Sequence, residues 1–188
     1  MRGETIGIVG ANGSGKTMLL RALCGLIHPS SGSVEIDGLE IGKDISFPQS
    51  VGVIIENVGL WPDYSCIDNL RMLAKIKRII GDAEIMASIR KVGLDHSDRR
   101  PFRKYSLGMK QRLVIAQALM ESPDPPLLDE PTNALDEDGA ELIRSLLREE
   151  KARGATIILA SHNRDDIKQL CDRVYTMRAG RLSYKEAD

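Results

Sequence analysis

Apolar residues return along this chain in two alternating rhythms. Residues 5–9, Thr-Ile-Gly-Ile-Val, predict a short strand, and Leu19, Leu20, Leu23 and Leu26 then recur at helical spacing until His28-Pro29 stops the pattern. Residues 34–38 alternate like a strand before a turn, and residues 51–55 are β-branched enough for a buried strand. From 67 to 94 the spacing is helical, with Leu70, Leu73, Ile76 and Ile80 on one face and Ile85, Ile89 and Val92 on a second segment. Ser106 is placed to open a helix carrying Leu113, Ala116 and Met120, and Leu127-Leu128 form a short strand that ends at Asp129-Glu130. A helix over 141–153 stops at Gly154, followed by a strand over 156–160 and a short helix through Ile167 and Leu170. Residues 174–177 and 182–184 read as a closing hairpin around Ala179-Gly180. Strands alternating with helices predict a mostly parallel sheet flanked by helices, with the middle of the chain as a helical insertion.

Length and composition narrow the class without changing this picture. The 188 residues suit one domain, and 42% hydrophobic residues are ordinary for a globular chain. Lys plus Arg total 26 against 27 for Asp plus Glu, a net charge of −1, so there is no broad attraction to nucleic acid or acidic lipid. The basic run Arg99-Arg100-Pro101-Phe102-Arg103-Lys104 reads as a solvated loop. Cys24, Cys66 and Cys171 are odd in number and form no CxxC pair, which argues against a disulfide framework or zinc site and for a reducing compartment. No apolar stretch reaches membrane-spanning length and no signal region opens the chain, so a soluble protein is expected.

The chemistry begins at Gly10-Ala11-Asn12-Gly13-Ser14-Gly15-Lys16-Thr17. This string fits G-x-x-x-x-G-K-[ST] and lies between a predicted strand and a predicted helix. Glycines let backbone N–H groups converge on an anion at a helix N-terminus, Lys16 reaches the β and γ phosphates, and the Thr17 hydroxyl serves Mg²⁺. The reading is an α/β nucleoside triphosphatase of the phosphate-loop class. Asp129 and Glu130, at the end of an apolar strand, are delivered to the same sheet edge. Asp129 is then placed for Mg²⁺, and Glu130 for the water that attacks the γ-phosphate.

Tyr105-Ser106-Leu107-Gly108-Met109-Lys110-Gln111-Arg112 resembles the signature of the ATP-binding cassette family, usually Leu-Ser-Gly-Gly-Gln; here the Ser and the second Gly remain. The order of phosphate loop, signature, Asp129-Glu130, Asn133-Ala134-Leu135-Asp136 and Ser161-His162 matches that family over nearly the whole chain. The resemblance implies ATP and Mg²⁺ as ligands, with His162 as a switch residue at the γ-phosphate. It implies that residues 133–136 form a loop communicating between two cassettes. It also implies a head-to-tail pair in which Ser106 and Gly108 of one copy cover the nucleotide of the other. Residues 1–56 and 121–188 would form the core and 57–120 the helical signature subdomain. The partners expected are a second ATP-binding subunit and a membrane-spanning permease, with the chain peripheral on the cytoplasmic face of the membrane and no nucleic acid bound.

Four departures from the family pattern set further expectations. Where a strand leaves the core the family carries glutamine; here the position is Glu56, a candidate metal-side carboxylate that resembles the bacterial peptide and lantibiotic exporter branch. Met109 cannot complete a capping box with Ser106. Pro125-Pro126 lack donors and should shorten the central strand to Leu127-Leu128. Only Met1 to Gly3 precede Glu4, where the family has a small sheet and an aromatic that stacks on adenine, so the start is expected to be internal to a longer protein. The leading expectation is the ATP-hydrolysing subunit of a transporter. Set beside it is a shortened nucleotide-binding module with little turnover. A cassette acting on ribosomes or DNA is disfavoured by the balanced charge and the lack of a long coiled-coil insertion.

Overall fold

The computed structural model describes residues 3–55 and 59–185. Its central sheet runs in the order β4 (Gly52–Ile54), β5 (Pro126–Asp129), β6 (Ile157–Ala160), β1 (Thr5–Val9), β7 (Arg173–Arg178) and β8 (Arg181–Lys185). The first five are mutually parallel, and β8 turns back antiparallel on β7. Helix α1 (Lys16–Leu23) follows β1 directly, α5 (Glu137–Ala152) joins β5 to β6, and α6 (Arg164–Leu170) joins β6 to β7. Between β4 and β5 the chain builds α2 (Cys66–Lys77), α3 (Asp82–Lys91) and α4 (Leu107–Leu119). The fold is therefore α/β, with a mostly parallel sheet between helices.

Two apolar layers hold the sheet. On one side Ile8, Leu127, Ala160 and Met177 pack with Leu20 of α1 and with Cys24, which caps that helix. On the other, Leu128, Ile157 and Leu159 join Ile143, Leu146 and Leu147 of α5, and this cluster runs on through Leu113 and Ile115 of α4 to Leu70, Ile85 and Ile89. Each fully buried aliphatic side chain contributes roughly 1.5–3 kcal/mol relative to its exposed state. One continuous core thus links the middle helices to the sheet.

Where local structure departs from the hydrophobic pattern, backbone conformation and capping explain it. Helix α1 stops at Leu23 because Gly25 takes a left-handed φ of 78°, and the periodic Leu26 is left 59% exposed. The helical stretch from 67 to 94 divides at Arg78, whose φ of 58° closes α2. Helix α5 starts at Glu137 rather than Glu141: Asp136 accepts a hydrogen bond from the Gly139 amide at 3.0 Å, and Glu137 and Asp138 complement the first turn. That turn carries no apolar rhythm to announce it. Residues 34–38 supply only β2 (Glu35–Ile36), which pairs with β3 (Leu39–Glu40) in a hairpin separate from the main sheet.

Pro125-Pro126 do not confine the strand to Leu127-Leu128. β5 begins at Pro126, opposite Gly52, and the Gly52 amide donates to the Pro125 carbonyl at 3.3 Å. Pairing with β6 starts one residue later, at Leu127, so the donor that proline lacks is not needed there. Among the described residues no helix is long and apolar enough to cross a membrane. The ends of β1, β5 and β6 meet along one edge of the sheet, and that edge carries the polar cluster.

Candidate functional site

The loop leaving β1 starts so close to β7 that its first residue cannot carry a side chain. A Cβ on Gly10 would lie 2.4 Å from the Met177 carbonyl oxygen, and Gly15 takes φ 114° as it caps α1. The Gly180 amide, in the β7–β8 turn, braces the loop by donating to the Ser14 carbonyl at 2.9 Å. Lys16 is buried to 7% exposure and donates from Nζ to the carbonyls of Gly10 at 2.8 Å and Ala11 at 3.3 Å. A buried ammonium held over a ring of backbone at a helix N-terminus is an anion site. The buried Ser14 hydroxyl has no partner.

Beside this cradle stand the acidic residues. Thr17 Oγ1 donates to Asp129 Oδ2 at 2.6 Å, joining α1 to the end of β5. Glu130 follows at φ 49°, a conformation that turns its carboxylate toward the end of β6. There Oε1 lies 2.8 Å from His162 Nδ1 and accepts the His162 amide at 3.1 Å. Phosphate loop, Asp129, Glu130 and His162 thus meet on one edge, although they come from segments far apart in the chain.

The phosphate loop, Asp129 and Glu130 border a cleft of about 590 Å³ lined by Asn12, Gly13, Gly15, Lys16, Thr17, Asp129 and Glu130, and His162 contacts it through Glu130. Its lining also includes Met18, Ile54, Leu107 and Gln111, for which the residues alone suggested no part in the site, together with Asn133 and Ala134 of the loop expected to communicate between cassettes. Gln111 donates from Nε2 to the Pro131 carbonyl at 2.9 Å, tying α4 to the loop behind Glu130. Ser106 caps α4 by accepting from the Met109 amide at 3.2 Å. Ser106 is exposed and Gly108 half-buried, neither lines the cleft of its own chain, and Leu107 between them is 70% exposed. Glu56, with Asn57 and Val58, lies outside the described residues.

The donor set fits a magnesium triphosphate. The glycine loop, Lys16 and the unpartnered Ser14 hydroxyl would face phosphate oxygens, and Thr17 with Asp129 would offer the hard oxygen ligands Mg²⁺ prefers. Among the described residues no group of three or more His, Cys, Asp or Glu could hold a metal by itself. The magnesium pattern of one or two protein ligands completed by substrate phosphates matches that. Cysteine chemistry does not enter: burial, reinforced by the charges of Asp166 and Asp172, pushes the Cys171 thiol up to about 12, where it stays protonated.

A family model described as ABC transporter matches residues 1–133. The chain is 55% identical over 185 residues, 98% of its length and 85% of the relative's, to an uncharacterized ABC transporter ATP-binding protein, YybJ, of Bacillus subtilis (strain 168). It is 35% identical over 182 residues, 96% of its length and 78% of the relative's, to the lantibiotic transport ATP-binding protein SrtF of Streptococcus pyogenes. The dimeric post-hydrolysis cassette MJ0796, bound to ADP and phosphate, shares the fold with a TM-score of 0.86 over 100% of this chain and 88% of that one, at 22% identity. The chain belongs to the ABC transporter family.

Proposed function

We propose that this cassette, an ATPase of its family, powers export of a peptide of the lantibiotic class through a separate permease in a bacterial membrane. The observation that carries the ATPase part is the meeting of Lys16, Thr17, Asp129 and Glu130 at one cleft, with His162 held against Glu130. The export part is supported by the likeness to SrtF and by Glu56 and the Tyr-Ser-Leu-Gly-Met string.

In the proposed mechanism Lys16 leaves the carbonyls of Gly10 and Ala11 for the β and γ phosphates, and the loop amides take the remaining charge. Thr17, Asp129 and, as we propose, Glu56 would hold Mg²⁺, which when bound neutralises charge on the phosphates. Glu130 orients a water and takes its proton as the oxygen attacks the γ-phosphorus and the bond to ADP breaks. His162 is released from Glu130 to contact the γ-phosphate. The water and the nucleotide are enclosed when Ser106 and Gly108 of a second cassette close over the cleft. Residues 1–56 and 121–188 then act as the nucleotide core and 57–120 as the subdomain that meets the permease, which keeps the chain peripheral on the cytoplasmic face.

The test is to delete the gene and measure export of, and resistance to, lantibiotic-type peptides, with complementation by the wild-type gene. Loss of export or resistance, restored on complementation, is expected; unchanged export and resistance would contradict the substrate assignment.

A further inference from the structure

Behind the site lies a buried carboxylate that touches no part of the cleft. Asp166, in the first turn of α6, is fully buried. Its Oδ2 accepts from Thr132 Oγ1 at 2.5 Å and from Ser161 Oγ at 3.2 Å, and its Oδ1 accepts from Arg144 Nε at 2.9 Å. These partners come from three separate segments. Thr132 stands between Glu130 and the 133–136 loop, Ser161 is the residue before His162, and Arg144 is in the middle of α5. The Ser161 hydroxyl also lies 3.4 Å from Glu130 Oε2 and accepts the Asn163 amide at 3.0 Å. Arg144, only 1% exposed, continues outward to Glu137 at 2.8 Å and Glu141 at 3.4 Å, in the first turns of the helix that Asp136 caps.

A charge with no exposure is costly unless every partner is in place, so this arrangement has one low-energy geometry. That geometry fixes the loops bearing Glu130 and His162 relative to each other and to the N-terminus of α5. We infer that Asp166 is a positioning residue for ATP hydrolysis: one buried carboxylate sets the Glu130–His162 pair and couples it, through Arg144 and α5, to the 133–136 loop. Nucleotide affinity does not depend on it, because Lys16, Thr17 and the glycine loop belong to other segments. The inference rests on the ATPase reading of the same site.

Thr132→Val and Ser161→Ala each remove one hydroxyl arm and leave the Arg144–Asp166 pair intact, which avoids the folding risk of changing Asp166 itself. Each is expected to lower kcat about tenfold or more, as small displacements of reacting groups do, with KM and Mg·ATP affinity changed less than about twofold. The double variant should lose less than the product of the two, because both arms act through one carboxylate. Amide hydrogen exchange at His162, read on the nucleotide-free chain, should accelerate by about tenfold in Ser161→Ala at unchanged global stability. The inference is overturned if kcat stays within about twofold of wild type while only the melting temperature falls, or if His162 exchange is unchanged. If the wild-type chain proves not to turn over ATP, the ATPase reading fails, and the exchange measurement alone still decides the positioning role.

Discussion

Replacing Glu130 with Gln is expected to lower kcat by about 10²–10⁴-fold while Mg·ATP still binds, the range by which a positioned general base accelerates a proton transfer. Glutamine keeps the size and planarity of the side chain, and it can still accept the His162 amide that Glu130 accepts at 3.1 Å. What it cannot do is take the proton of the attacking water. The phosphate loop, Lys16 and the Thr17–Asp129 pair are untouched, so affinity should move by no more than a few fold. Single-turnover hydrolysis beside a binding titration separates the two effects. A variant that retains kcat within about threefold would remove Glu130 from the chemistry.

The second large effect concerns stability. Arg144→Met leaves Asp166, which is fully buried, with its charge uncompensated, and removing one partner of a buried ion pair costs about 3–5 kcal/mol. For a chain of this length that is a fall in melting temperature of roughly 6–20 °C. The double change Arg144→Met with Asp166→Asn removes both charges and keeps an acceptor for the Thr132 and Ser161 hydroxyls. It should therefore melt above Arg144→Met alone. Equal melting of the two variants would mean that the pair contributes nothing beyond the volume of the side chains.

How much of this was legible from the residues depends on how far the signal is local. The phosphate loop could be read because its glycines, Lys16 and Thr17 are contiguous and the flanking rhythm changes from strand to helix within a few residues. Asp129-Glu130 could be read because an apolar strand end precedes them. The Asp166 network was not legible. Its members, Thr132, Arg144, Ser161 and Asp166, are scattered over four elements and join only in three dimensions. One faint trace existed: Asp166 and Leu170 are spaced by four, which puts a carboxylate on the inward face of a helix ending in a buried leucine. Helix α5 began earlier than its apolar pattern because a cap and two acidic residues start it. The strand at Pro126 began earlier than its donor count allows because a parallel neighbour used a proline carbonyl instead. In both places hydrogen bonding decided a boundary that hydrophobicity could not.

The same lesson applies to the cleft's second wall. Gln111 was visible in the signature string, but its bond to the Pro131 carbonyl depends on α4 packing beside the loop after β5. That contact ties the helix bearing Ser106 and Gly108 to the loop carrying Glu130, so movement of one is felt by the other.

The measurement that bears most directly on all of this is a calorimetric titration of Mg·ATP into the purified chain and into its Lys16→Ala variant. The wild-type chain should bind with a Kd below about 1 mM, and loss of the buried ammonium should weaken binding by at least about tenfold, as expected for charge-assisted contacts to phosphate. Equal affinity in the two proteins, or no binding by the wild type, would contradict the assignment of residues 10–17 as the cradle of a nucleoside triphosphate.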